Sequence, residues 1–272
     1  MKNLIVSRFK LSEMTPKRIG LAIARRVADV PDGLAWEFSD FTKQNKKNLS
    51  RFEAIHAGKR CFIMGNGPSL AKMDLSPLGN EITFGLNRIY LLFDKLPFKP
   101  SYYVSINDLV LQQFSGDIKQ LPMPKFLSWK YRGIYKNCEE VCFVRVIAGF
   151  DVFFGKSPLH PLESGATVTN VAIQLAYYMG FSEVILIGVD HNFVDKGIPN
   201  SVAIRKAATD ENHFHPDYFP KGVAWQLPDL LHSELAYAKD REQFELAGRK
   251  IVDATVNGKL MVFEKVAYET LF

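Results

Sequence analysis

The feature that most constrains this chain is a helical stretch that runs almost directly into a fully apolar strand. Residues 167–180 (TVTNVAIQLAYYMG) read as a helix that stops at Gly180. EVILIGVD (183–190) follows at once, the strongest buried-strand signal in the chain. A strand apolar on both faces must be covered on both faces, as in a parallel sheet flanked by helices. The alternation extends upstream. RCFIMG (60–65), EITFGLN (81–87) and SYYVSIN (101–107) read as strands that close on Gly or Asn, and KFLSW (125–129) and VCFVRV (141–146) follow. Downstream, 228–248 reads as a helix, with KIVDAT (250–255) and KLMVF (259–263) as terminal strands. The pattern predicts an α/β fold, a doubly wound, Rossmann-like, mainly parallel sheet over residues 59–272. Residues 1–58 are expected to form a helical N-terminal extension.

Charge separates these two parts. Residues 1–60 hold 13 Lys/Arg against 6 Asp/Glu, whereas the rest holds 21 against 23. Ile19, Ile23 and Val27 recur at four-residue spacing among Lys17, Arg18, Arg25 and Arg26, the pattern of a short basic amphipathic helix. Such a helix either packs on the domain or on a second subunit of a homo-oligomer, or residues 17–26 adsorb reversibly to anionic lipid. No recognition motif accompanies the basic residues, so nucleic acid is not an expected partner. No apolar run approaches the roughly 18 residues of a membrane span. The opening MKNLIVSRFKLSEM is broken by Ser7, Arg8 and Lys10, unlike a secretory signal. Three cysteines, Cys61, Cys138 and Cys142, show no framework spacing and read as structural. A cytoplasmic location is expected, with peripheral contact to the inner face of the membrane.

In open α/β sheets ligands sit at the carboxyl ends of the strands. There the chain places Gly65-Asn66-Gly67-Pro68-Ser69-Leu70, where two glycines permit a tight turn and close approach of a phosphate or sugar. It is not a dinucleotide fingerprint: Leu70 stands where a third Gly is needed, and Asn87 where an acid is needed. A phosphate loop at Gly155-Lys156-Ser157 fails because Gly149 lies one residue too far upstream. A nucleophile elbow at Ser69 lacks its second Gly. Asn87 and Asn107 close the second and third strands, so their amides can converge on the glycine loop. Glu163-Ser164-Gly165-Ala166-Thr167 opens the long helix and offers a hydroxyl and free N–H groups to an anion, or an ordinary N-cap. The segment from Asp210 to Tyr218 gathers His213, His215, a phenol and several carboxylates. It reads as a general-base loop, a His-x-His metal site with Asp210 or Asp217, or a purely structural loop. No Asp-x-Asp occurs anywhere, so the usual metal clamp on a sugar diphosphate is missing.

A strand ending in GNGPSL, a second ending in Asn, and a later block of Ser164-Gly165, Ala172-Ile173, Leu175-Ala176, Gly180-Phe181, Glu183-Val184 and Gly188-Val189-Asp190 resemble the bacterial sialyltransferases of glycosyltransferase family 42. They resemble equally the wider group of flagellin-glycosylation accessory and pterin-diphosphokinase-like proteins. The likeness covers roughly residues 60–260 and implies a GT-A-like variant of the sheet. It implies a metal-independent, inverting transfer from a CMP-linked acidic sugar to a glycan or glycolipid acceptor in surface-glycan synthesis, with no cofactor. Asn66, Asn87 and Asn107 would contact the nucleotide, with Gly65, Gly67, Pro68, Ser69, Ser164, Gly165 and Asp190 lining the donor site. His213 or His215 would be the base. The family's two phosphate-side tyrosines are replaced by Asp190-His191-Asn192-Phe193, so that Tyr218 or His191 takes that task or the leaving group differs. The alternatives are a diphosphokinase using ATP and Mg²⁺, or a non-catalytic nucleotide- or glycan-binding accessory protein.

Overall fold

The computed structural model describes residues 16–148, 151–195, 197–206 and 209–272. Residues 1–14 and Gly149, used above, lie outside them, as do the side chains of Lys17, Arg18, Ile19, Ile23 and Arg25. Two helices, α1 (Pro16–Phe38) and α2 (Asp40–Ser50), precede the strands β1 (Arg60–Met64), β2 (Thr83–Leu86), β3 (Tyr102–Ser105), β4 (Lys125–Ser128) and β5 (Val141–Val144). Short helices α3 (Asp108–Gln113), α4 (Ser115–Lys119) and α5 (Arg132–Tyr135) lie between them. A two-stranded parallel patch of β6 (Val146–Ile147) and β7 (Leu162–Glu163) leads to α6 (Val168–Tyr178) and β8 (Glu183–Ile187). An antiparallel ribbon of β9 (Val202–Ile204) and β10 (Ala224–Gln226) precedes α7 (Leu230–Leu246), β11 (Lys250–Asp253) and β12 (Glu264–Lys265).

Eight strands form one sheet in the order β12-β11-β8-β1-β2-β3-β4-β5, every pair parallel. This is the expected doubly wound α/β, Rossmann-like sheet. The chain winds from β1 outward to β5, then returns to β8 on the other side of β1. The order therefore reverses between β1 and β8, where a crevice must open. Val184, Ile185, Leu186 and Ile187 of β8 are fully buried, so every side chain of its apolar run contributes about 1.5–3 kcal/mol of burial. α6 packs across β1, β2 and β3, with α7 beside it. Thr167 caps α6, its Oγ1 accepting from the Thr169 N–H (3.3 Å), and Gly180 at φ +88° lets the chain leave the helix for β8.

Two terminal expectations need correction. KLMVF is not a strand. Leu260 and Phe263 turn into the core, Phe263 against Tyr237 (5.6 Å between ring centroids), and pairing with β11 begins only at Glu264. VCFVRV splits at Arg145, whose guanidinium reaches Asp29 (2.5 Å), and the following residues join β7 instead.

The N-terminal helices are bound to the body. Trp36 and Leu49 belong to the same core as the sheet, and Trp36 meets Trp129 edge-on (5.1 Å). Asp32 pairs with Arg132 (2.6 Å), and its carbonyl accepts from Trp129 Nε1 (3.1 Å). β5 is the outer strand of the sheet, and an unpaired strand edge invites aggregation. Asn45 of α2 closes it, donating to the Phe143 carbonyl and accepting from the Phe143 N–H, both at 2.8 Å. Among the described residues no helix is long and apolar enough to cross a membrane. The three cysteines are unpaired, and burial pushes the Cys142 thiol up to about 12.

Replacing Asn45 by Ala leaves two buried backbone groups unpaired and is expected to cost about 2–4 kcal/mol. Urea unfolding of the Asn45→Ala variant measures this, and an unchanged midpoint would show that water satisfies the edge equally well.

Candidate functional site

The crevice between β1 and β8 is shaped by glycine. The two strand ends stay paired beyond the sheet, with Gly65 N–H donating to the Ile187 carbonyl and Gly67 N–H to that of Gly188, both at 2.8 Å. A Cβ on Gly65 would strike the Gly188 carbonyl, and one on Gly67 would strike the Asp190 carboxylate. Asp190 occupies that space because it accepts from Ser69 N–H (3.1 Å) and Ser69 Oγ (2.6 Å). Its burial pushes the carboxyl above the usual range despite these bonds. Asp190 lines the crevice, but both of its oxygens hold the glycine loop.

Two adjoining cavities form the cleft. The first, about 160 Å³, is lined by Gly65, Asn66, Gly67, Asn87, Asp190 and His213 among others. The second, about 360 Å³, adds Asn107 and Ser164 and shares Asn87, Thr167, His213 and Tyr218 with the first. A third space of about 400 Å³ meets the second at Asp108 and Ser164 and ends against Asp29 and Asp32 of α1. The three sequence-selected asparagines thus share one cleft through Asn87, beside Ser164.

Their amides differ in what they have left to offer. Asn66 Nδ2 donates to the Leu86 carbonyl (3.0 Å), while its buried Oδ1 has no partner among the described residues. A buried acceptor of this kind is open to a donor from water or a bound molecule. Asn87, held at φ +46°, accepts from Ser105 Oγ (3.0 Å). Asn107 caps α3, its Oδ1 accepting from Leu109 N–H (3.0 Å) and Val110 N–H (3.1 Å), which leaves Nδ2 for the cleft. Pro68 and Ser69 start the 3-10 turn behind the loop and Gly165 is buried at φ +53°; none of the three lines the cleft.

The histidine loop folds over the same edge. Phe214 N–H donates to the Asn66 carbonyl (2.9 Å), joining the loop to the glycine turn. His213 lines both cavities and stacks flat on Tyr218, with centroids 3.9 Å apart and planes 4° from parallel. Its Nδ1 lies 2.9 Å from Asp210 Oδ2. Burial pushes the Asp210 carboxyl up, but His213, the Asn212 N–H and Arg205 outweigh it and hold it below the ordinary range. An ionised Asp210 only accepts, so His213 Nδ1 carries a hydrogen, and in the neutral ring the lone pair sits on Nε2. His215 lies outside the cleft, its Nδ1 accepting from Asp217 N–H (3.1 Å). Burial raises the Tyr218 phenol above its usual range, and its oxygen accepts from the Arg88 N–H (3.3 Å).

Sequence reading missed Arg88, which is buried beneath the loop. Its Nη1 donates to the carbonyls of Asp217 (3.0 Å) and Tyr218, and its guanidinium lies 3.7 Å from the Phe114 ring centroid. A charged residue in an apolar neighbourhood right after Asn87 was the only signal. Asn212 was missed too: it accepts from Val194 N–H (2.8 Å) and donates to Asp195 (2.7 Å), which pairs with Arg205. His191, at φ +52°, pairs with Glu234 (2.9 Å) and also lines the first cavity.

Because its carboxyl is held low in the folded state, Asp210 contributes stability that is present above the unfolded value, about 3.9, and disappears as pH falls through the lowered one. The Asp210→Asn variant should therefore unfold at lower urea than the parent near neutrality and show a flatter acid limb. Parallel acid limbs would mean that the carboxylate is not what binds the loop.

No curated protein sequence matches the chain. Among solved structures, a MAf glycosyltransferase from Magnetospirillum magneticum AMB-1 has a similar fold, with a TM-score of 0.55 and 14% identity. The likeness covers 84% of this chain and 39% of that one, so this chain spans well under half of its length. The family described as 6-hydroxymethylpterin diphosphokinase MptE-like matches residues 37–196, from the end of α1 through the glycine loop, α6 and β8. That stretch is more than half of the chain, and the protein belongs to the MptE-like family.

Proposed function

We propose that this protein is a glycosyltransferase that moves a sugar from a nucleotide-activated donor to a hydroxyl acceptor, with inversion and without a metal. The observation that carries the reading is the Asp210–His213 pair, stacked on Tyr218 and opening on the glycine-loop cleft. His213 Nε2 takes the proton of the acceptor hydroxyl. The acceptor oxygen bonds to the anomeric carbon as the bond to the donor phosphate breaks on the opposite face, and that electron pair leaves with the phosphate. Asp210 holds the ring in its base-competent tautomer and stabilises the imidazolium. The first turn of α6 and the Thr167 hydroxyl, which line the cleft, offer dipole and hydrogen-bond donors to the leaving phosphate.

Charge favours a monophosphate leaving group. Among the described residues, neither cavity of the cleft is lined by Lys or Arg. A helix terminus, amides and hydroxyls suit a nucleoside monophosphate better than a triphosphate. This supports a CMP-linked acidic sugar, as in the family 42 sialyltransferases, and a glycan or glycolipid acceptor in surface-glycan synthesis. The solved relative's name, a glycosyltransferase, points the same way.

The family's description favours a second reading, pyrophosphoryl transfer from ATP with Mg²⁺. The carboxylates present fit a Mg²⁺ site poorly. Asp190 is held by Ser69, Asp229 by His232 N–H and Asn200, and Asp108 by Lys130. Among the described residues no group of three or more His, Cys, Asp and Glu could hold a metal ion.

Thermal stabilisation by CMP, UDP and ATP, each with and without Mg²⁺, separates the readings, since a ligand at 100 times its Kd adds about 2.7 kcal/mol. CMP alone should stabilise; stabilisation by ATP only with Mg²⁺ would favour the diphosphokinase. With a donor in hand, His213→Ala should lower turnover about a hundredfold or more with nucleotide affinity unchanged, since general-base catalysis supplies about that factor. His215→Ala should change turnover little, and transfer should survive EDTA. Normal turnover in His213→Ala would remove the proposed base.

A further inference from the structure

Helix α1 has two faces of opposite kind. Asp29, Asp32 and Trp36, spaced three and four apart, look toward the body and hold Arg145, Arg132 and Trp129. Val27, Val30, Leu34 and Phe38 recur at three- and four-residue steps on the other side. All four are more than half exposed, from 53% at Val30 to 74% at Phe38, and Phe41 at the start of α2 is 40% exposed. The four side chains on α1 amount to an uncovered stripe, well beyond the scattered exposure that is ordinary on a surface, whereas Phe41 leans on Trp129 and Phe143 of the body.

We propose that this stripe docks on an anionic lipid surface, with α1 lying in the plane of the membrane. Charge selects the occupant. Residues 16–50 hold seven Lys/Arg against four Asp/Glu. Two of those four acids, Asp29 and Asp32, are already committed to arginines of the body. The other two, Asp40 and Glu37, pair with Lys43 and Lys46, so the excess left around the stripe is positive, with Arg26 and Lys47 exposed. Apolar burial and attraction to anionic headgroups then act together. Pairing of the stripe with a second copy would bring two segments of like charge together instead. The contact lies C-terminal to residues 17–26, where sequence spacing alone had set it. Docking also has a geometric consequence: the opposite face of the same helix walls the third space, which adjoins the cleft at Asp108 and Ser164.

The test needs no assumption about the cleft's chemistry. The full chain is floated with vesicles of phosphatidylcholine alone and of phosphatidylcholine with about one-third phosphatidylglycerol. Binding is expected only to the anionic vesicles, falling as salt rises from about 0.05 M to about 0.5 M. The Leu34→Glu/Phe38→Glu variant should bind about tenfold more weakly or worse, because it charges the face that must enter the interface. Its melting temperature should match the parent's, since both side chains are exposed. Equal binding by parent and variant, or no binding by the parent to anionic vesicles, overturns the proposal. So does a dimer, seen by light scattering, that the variant abolishes, because the stripe would then belong to a second copy.

Discussion

β1 and β8 leave the sheet side by side, and their backbones stay hydrogen-bonded past the last strand residue because Gly65 and Gly188 present no side chains to each other. That close approach is the constraint on which the cleft rests. It brings Asp190, three residues beyond the end of β8, under the loop that follows β1, where Ser69 can grip both carboxylate oxygens. A side chain at Gly65 or Gly67 would separate the two turns. Asn66 would then lose its hold on the Leu86 carbonyl, and the first cavity would lose its floor. Asp190 reads in the sequence as a ligand-facing acid. Its observed work is to bind the two halves of the switch point together.

The same edge governs the histidine loop. A segment without regular structure cannot hold a base in place unless its backbone is tied to rigid elements. Here the ties come from the ends of β1 and β2. Phe214 donates to Asn66 of the glycine loop, and Arg88, at the end of β2, reaches the carbonyls of Asp217 and Tyr218. Burying a guanidinium is costly unless its donors are satisfied, and those two carbonyls, the Tyr90 hydroxyl (3.2 Å) and the Phe114 face supply the compensation. His213 is consequently fixed from below by Tyr218 and from the side by Asp210.

How much of this was legible in the sequence follows from the range of each interaction. The strands and α6 were legible because their apolar periodicity is local. The glycine loop and the strand-ending asparagines were legible because a parallel sheet puts strand ends on one edge whatever the details. KLMVF misled because an apolar run that plugs a core has the same composition as a strand. The choice between His213 and His215 was not legible. It depends on which residue meets Tyr218 and Asp210 in a folded loop. Arg88 escaped for the same reason, since its partners lie about 130 residues downstream. Of the exposed stripe of α1, spacing picked out only Val27, because it reveals an amphipathic helix but not which of its faces the body takes.

The family match and the histidine loop occupy different parts of the chain. Residues 37–196 carry the glycine loop, Asn87, Asn107, Ser164 and the start of α6, which line the cleft at the switch point. Asp210, His213 and Tyr218 lie beyond that stretch, on the connection between β8 and α7. A shared sheet edge fixes where a phosphate can sit, whereas the connection that covers it decides which group attacks or accepts a proton. In this chain it presents an imidazole with a carboxylate behind it, and the described lining of the cleft holds no Lys or Arg to steady a triphosphate. That combination suits removal of a proton from a hydroxyl better than neutralisation of a polyphosphate.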